Sequence, residues 1–227
     1  MTIQPLKRRR AARGSGEQLR DEILDTTTDL LLQTGHAKAV SIRSVALRVG
    51  VTPPSIYLHF ADKDALLDAV CARYFERLDE VMHQVADDQP SNIDRLRAQG
   101  LAYVRFATQN PELYRIATMG EGRLGSDVDV ALNSSAFVHL RNSVEALIEE
   151  GIFPPGDPTM AALELWTVAH GVAALLISRP YLPFGDAEEF ADRTLRSVCA
   201  GHIVTGAMGV DVAPQDAVAR IKELTDG

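Results

Sequence analysis

Ser41-Ile-Arg-Ser-Val-Ala-Leu-Arg-Val-Gly-Val-Thr-Pro-Pro-Ser-Ile-Tyr-Leu-His-Phe60 is the stretch on which the reading of this chain turns. Ser41 is placed to cap a short helix, its hydroxyl accepting from a backbone N–H of the first turn. Val45, Ala46 and Val49 recur at helical spacing, and Gly50 supplies the left-handed residue that ends a helix at least steric cost. Thr52 is expected to cap a second short helix, with Pro53 and Pro54 in its first turn, where a missing N–H removes no hydrogen bond. Ile56 and Phe60, four residues apart, fall on the inner side. Ser55, Tyr57 and His59 are left outside, rich in donors and poor in charge. Two short helices, a glycine turn and polar outer residues make a helix-turn-helix, whose second helix can enter the DNA major groove.

Upstream, Ser15-Gly-Glu-Gln18 has the pattern of a capping box, and Leu19, Ile23, Leu30 and Leu31 form the inner stripe of a helix ending at Gly35. Packed on the two short helices, it completes a three-helix head. Before it, Lys7-Arg8-Arg9-Arg10 and Arg13 read as a basic arm that can follow phosphates or reach the minor groove; an inert solvated tail is the other reading. Downstream, Asp62 opens a long helix with Leu66, Val70, Tyr74, Leu78, Val81 and Val85 inside, broken at Asp87-Asp88-Gln89-Pro90. Helices are then expected over 91–109, 111–118, 127–150, 158–178 and 186–208, with a short one after Pro214. No stretch alternates long enough for a sheet, so the fold class is all-α.

Charge is unevenly divided. Residues 1–63 hold 10 Lys and Arg against 6 Asp and Glu, and the rest hold 13 against 25. A basic head on an acidic body implies that only the head meets a polyanion. The two cysteines, Cys71 and Cys199, stand far apart on expected helices, which argues against a disulfide framework; Cys71 reads as a small buried residue. The N-terminus lacks the apolar segment of a secretory signal, and the apolar run Leu165–Ser178 falls short of the ~20 residues that span a bilayer. A cytoplasmic protein, with no membrane partner, is expected.

Ser41-Ile-Arg43, Val45-Ala46, Gly50-Val51-Thr52, Ile56-Tyr57 and His59-Phe60, followed by Asp62-Lys63 and Leu66-Leu67, resemble the DNA-binding domain of the TetR family of bacterial repressors. Many positions agree at fixed spacing over roughly the first third of the chain; Pro53-Pro54 departs from the commoner pattern of small or basic residues. Asn110-Pro-Glu-Leu-Tyr-Arg115 and Leu165-Trp-Thr-Val-Ala-His-Gly171 resemble a subgroup of that family with a Trp-x-x-x-His-Gly signature in its C-terminal domain. The resemblance implies a basic arm (1–14), a helix-turn-helix domain (15–62) and an effector-binding and dimerisation domain (63–227). It also implies a homodimer, paired through helices 158–178 and 186–208 in a four-helix interface.

The candidate DNA contacts are Arg43 for a base, since Arg can grip guanine with two hydrogen bonds, and Tyr57, His59 and Lys63 for phosphates. Thr52, Pro53 and Ser55 on the second short helix, and Arg8, Arg9 and Arg10 in the arm, complete the set. In the body, Trp166 and His170 stand on one face of a helix that is apolar nearly all round. They are expected to line a small-molecule pocket with Tyr103, Phe106, Tyr114, Met119 and Phe137. Taken singly each is equally readable as core, His170 with one internal hydrogen bond.

No cofactor and no metal are expected: the six histidines show no paired-ligand spacing, and there is no G-x-S-x-G, phosphate loop or dinucleotide fingerprint to suggest an enzyme. The expected function is a ligand-responsive transcriptional regulator, a repressor that binds an inverted-repeat operator on double-stranded DNA as a homodimer and is released by a small, mostly apolar effector. The alternative is a DNA-binding regulator without such an effector, controlled by a protein partner or by its abundance.

Overall fold

A computed structural model describes residues 15–119, 136–209 and 211–225, and among them every regular element is helical. In chain order these are α1 (Ser15–Thr34), a 3₁₀ turn (Ala37–Ala39), α2 (Ile42–Val49), α3 (Pro53–Tyr57), α4 (Lys63–Asp87), α5 (Asn92–Gln109) and α6 (Pro111–Met119). After a gap follow α7 (Ala136–Glu149), α8 (Pro158–Ser178), α9 (Ala187–Met208) and α10 (Pro214–Thr225). The expected boundaries hold closely, except that residues 127–135 of the helix expected over 127–150 lie outside the described residues. Prolines explain the agreement. Pro111, Pro158 and Pro214 each sit at a helix start, where the ring's fixed φ is already helical and no hydrogen bond is lost.

The chain forms two compact units, and their division differs from a cut at residue 62. The first holds described residues 15–77 and 110–119, the second 78–109 and 136–225. In the first unit α1 packs on α2 and on α6, so α6 returns to the head from far along the chain. Its core is built on Ile23, Leu24 and Leu31 of α1, Val45 and Ala46 of α2, Ile56 of α3 and Leu66 of α4, all essentially without solvent exposure. Thr27 sits in the same stripe and is satisfied inside its helix, its hydroxyl donating to the Ile23 carbonyl at 2.7 Å. Arg73 on α4 reaches Asp25 on α1 at 2.9 Å. Cys71 is buried, and that burial pushes its thiol up to about 12, which fits an inert small residue.

In the second unit α5, α7, α8 and α9 pack around one core. Leu96, Leu140, Val144, Leu147, Phe153, Ala162 and Leu165 fill it, with Phe137, Trp166, Val198 and Cys199 against its edge. Asp157 and Asp186 cap α8 and α9, accepting from the backbone N–H of Thr159 and Glu189 at 2.8 and 2.9 Å. Gly206 of α9 crosses the turn at 152–154 so closely that a Cβ there would stand 3.0 Å from the Pro154 nitrogen. By length and composition α8 could cross a membrane, contrary to the shorter run read from the sequence. Yet Ala162, Leu165, Ala169, Val172 and Ala173 on one side of it are buried in this core. Its outer side keeps Met160, Leu163 and Leu175 exposed.

Candidate DNA-binding and effector sites

The helix-turn-helix forms as its residues direct. Ser41 caps α2 by accepting from the Ser44 N–H at 3.1 Å, and the Ser44 hydroxyl accepts in return from the Ser41 N–H at 2.9 Å. This is a capping box with serine where Glu or Gln is usual. Gly50 takes φ 80° and ψ 33°, and its N–H and that of Val51 both donate to the Ala46 carbonyl, at 3.0 and 2.9 Å. Thr52 is a correction. It stands at the N-cap of α3 with extended backbone, but its hydroxyl caps nothing and lies 3.0 Å from the Ser55 hydroxyl. The reason is covalent: Pro53 and Pro54 leave no N–H at the first two helical positions, and the Ser55 N–H already donates to the Thr52 carbonyl at 2.9 Å.

Ile56 and Phe60 are buried as expected, while Arg43, Thr52 and Tyr57 are exposed and Pro53, Ser55 and His59 are partly so. Lys63 is tied more closely than a free phosphate ligand would be, its ammonium donating to the Ala37 carbonyl at 2.7 Å. The sequence reading missed two leucines. Leu47 on α2 and Leu58 closing α3 leave 81% and 85% of their surface exposed. Large apolar side chains held outward on a DNA-reading head can make apolar contact with thymine methyl groups. Their signal was available, since both fall outside the inner stripe set by Val45, Ala46, Ile56 and Phe60. Arg8, Arg9 and Arg10 lie outside the described residues.

The second unit holds a cavity of about 340 Å³, within the ~300–1,000 Å³ typical of small-ligand sites. α5 contributes Leu96, Arg97, Gly100 and Tyr103, α8 contributes Leu165, Trp166 and Ala169, and α9 contributes Leu195, Arg196, Cys199, Ala200 and Ile203. Met82 and Leu140 close it from α4 and α7. Its surface is overwhelmingly apolar. Tyr103 and Trp166 line it together. His170 stands behind them, its Nδ1 3.2 Å from the Tyr103 hydroxyl and its ring 5.4 Å from that of Trp166. Burial holds the His170 imidazole below its ordinary value, so it is neutral at neutral pH.

The other expected lining residues are placed elsewhere. Phe137 packs against the core of the same unit, and Phe106 sits half-buried on α5, neither bordering the cavity. Tyr114, without solvent exposure, and Met119, whose side chain lies outside the described residues, belong to α6 in the first unit. The whole α9 wall was missed, although Leu195, Cys199 and Ile203 recur at helical spacing. Among the described residues no three His, Cys, Asp or Glu side chains are placed to share a metal ion.

A helix-turn-helix with an exposed polar face, followed by a helical unit with an apolar cleft, defines a DNA-binding regulator of the helical bacterial class. Residues 23–70 match the family described as bacterial regulatory proteins, tetR family, and residues 96–198 match the tetracyclin repressor-like C-terminal domain. The chain belongs to the TetR family of transcriptional regulators. It is 24% identical over 179 residues to the nucleoid occlusion factor SlmA of Pectobacterium carotovorum, covering 77% of this chain and 90% of that protein. A protein of unknown function from Rhodococcus sp. RHA1 shares the fold with a TM-score of 0.72 and 25% identity, over 82% of this chain and 95% of that one. RolR in complex with resorcinol superposes with a TM-score of 0.63 at 18% identity, over 86% of this chain and 96% of that one.

Proposed function

We propose that this regulator is a repressor that binds an inverted-repeat operator as a homodimer in the cytoplasm and is released by a small apolar effector held in the second unit. The apolar cavity beside Trp166 is the observation that carries this reading. An apolar cleft of that size leaves its walls without dispersion partners, and a ligand that fills it supplies them. RolR, a protein of the same fold, is bound to resorcinol, which agrees with a ligand role for the body. The homodimer is supported by the outer face of α8, where Met160, Leu163 and Leu175 stay exposed. A second copy of the same face covers such a surface isologously.

Residues 15–62 would supply most operator contacts, with Arg43 on a base edge, Tyr57 and His59 on phosphates and Thr52, Pro53 and Ser55 at the groove, joined by Lys63 at the start of α4 and by the arm along the backbone. Trp166 is the only tryptophan, so its emission reports the cavity directly. Candidate ligands are titrated with and without operator DNA. Release requires that operator weaken ligand binding by the same factor as ligand weakens operator binding. A ligand bound equally well in both cases cannot be the inducer. The second reading, a regulator with no small-molecule effector, draws on the SlmA relatives, whose designation as nucleoid occlusion factors names none. It takes precedence if no ligand alters Trp166 emission while operator binding is intact.

A further inference from the structure

The charged groups at the rim of the cavity are Asp94 and Arg97 on α5 and Arg196 on α9. Asp94 is engaged with the start of its own helix, its carboxylate accepting from the Ser91 hydroxyl at 2.6 Å while its N–H donates to that hydroxyl at 3.2 Å. Both guanidiniums converge on one carboxylate that does not itself line the cavity. Arg97 Nε donates to Asp192 Oδ1 at 2.6 Å, and Arg196 Nε stands 3.1 Å from Asp192 Oδ2. Asp192 thus spends one oxygen on each arginine, and with only 16% of its side chain exposed it is held in place better than an ordinary surface carboxylate. Counting Asp94 at the rim and Asp192 just outside it, two negative charges balance the two arginines.

We propose that Asp192 makes this cavity selective for uncharged effectors by holding a negative charge against both arginines at its rim. The inference rests on the effector-site reading above and specifies the class of molecule that the site admits. An acid entering the cavity has two unfavourable choices. With its carboxylate inside, it loses hydration among apolar walls where the Tyr103 hydroxyl is already engaged by His170. With its carboxylate at the rim, it must share Arg97 or Arg196 with Asp192, which places two like charges side by side. An uncharged molecule meets neither obstacle, and a carbonyl or hydroxyl oxygen at the rim can accept from a guanidinium N–H without breaking the pair. The hydrogen bond with Arg97 also holds the Asp192 carboxyl below its ordinary range, so the lock stays charged throughout the neutral range. By volume the cavity accommodates about ten to twelve heavy atoms, taking each as water-sized.

The test uses the full-length protein and two probes of equal length, decan-1-ol and decanoate, at neutral pH. Binding is followed by Trp166 emission and by calorimetry. The wild type should bind decan-1-ol at least about tenfold more tightly than decanoate. Asp192→Asn keeps the side-chain shape and removes the charge. It should raise decanoate affinity about tenfold and leave decan-1-ol within about twofold, with an unchanged far-ultraviolet circular dichroism spectrum as the folding control. Adding Arg97→Met to Asp192→Asn should cancel the gain for decanoate. A wild type that prefers decanoate overturns the proposal, as does an Asp192→Asn variant with an unaltered ratio between the probes. If neither probe binds either protein, the effector-site reading itself fails, and the proposal with it.

Discussion

Replacing Gly50 by alanine isolates one physical term at the centre of the helix-turn-helix. Gly50 has φ 80° and ψ 33°, and a Cβ built on it meets nothing within 4 Å. Steric packing therefore contributes nothing to the cost, and only the backbone does. Placing an L-residue in the left-handed region costs roughly 1–2 kcal/mol. Stiffening the unfolded chain by replacing glycine returns roughly 0.4–1 kcal/mol. The net expected for Gly50→Ala is a loss of about 0.5–1 kcal/mol, a fall in Tm of a few degrees at most for a chain of this length. Asparagine tolerates this conformation better, so Gly50→Asn should lose about half as much. Urea denaturation followed by circular dichroism gives the loss. Operator affinity measured well below the transition should change little, because the turn in the folded state keeps its hydrogen bonds to Ala46. The reasoning is refuted if Asn costs as much as Ala, since a common cost would mean that a contact and not the backbone sets it.

Gly206→Ala should destabilise the second unit by about 1 kcal/mol: overpacking costs roughly 1–3 kcal/mol, while replacing a mid-helix glycine returns roughly 1. The new methyl would meet backbone of residues 152–154, which cannot swing away as a side chain can, and a stabilised variant in denaturant unfolding would show the crossing to be looser. His170 is held below its ordinary value near 6.5 by burial, so the unfolded chain takes up a proton before the folded one does. Stability should fall as pH drops from about 6.5 toward that depressed value, and His170→Gln should flatten this part of the stability–pH curve. Arg43→Ala should weaken operator binding by about 1–3 kcal/mol and relax preference at one base pair per half-site; equal weakening on all sequences would move Arg43 to the phosphate backbone. Deleting residues 1–13 should lower operator affinity and make it less steep in salt, and an unchanged salt slope would identify the arm as an inert tail.

The helices were legible because their ends carry chemistry that acts locally. Proline at 111, 158 and 214, Ser41 and Gly50 each fix a boundary through a group within a few residues of it. The Thr52 cap was misjudged by the same local logic, through attention to the acceptor without asking whether a donor remained after two prolines. The place of α6 was illegible for another reason. Its packing on α1 joins segments some eighty residues apart, and nothing in the Asn110–Met119 stretch marks which surface receives it. The cavity fared in between. Bulky aromatics were taken as its walls, yet a large side chain such as Tyr114 more readily fills a core than borders a void, and it has no exposed surface at all. The cavity wall mixes small residues such as Gly100, Ala169 and Ala200 with large ones such as Leu195 and Trp166, drawn from three helices that meet only in the folded chain. The rim arginines were invisible because their partner Asp192 lies nearly a hundred residues from Arg97 in sequence.

The paired prolines that open α3 also decide which atoms can hold a phosphate there. A helix start is ordinarily an anion cradle, because its first amides point outward with no carbonyl to receive them. In α3 the first two of those amides do not exist, and the third, on Ser55, is already given to the Thr52 carbonyl. If α3 is the helix that meets DNA, as proposed, its start offers a phosphate two main-chain donors fewer than an ordinary helix start. On that proposal the grip falls mainly to side chains, the hydroxyls of Thr52, Ser55 and Tyr57 and the imidazole of His59. Each of these can be altered without disturbing the helix. A phosphate clamp made of main-chain amides survives most substitutions; the one proposed here would be open to mutation one side chain at a time.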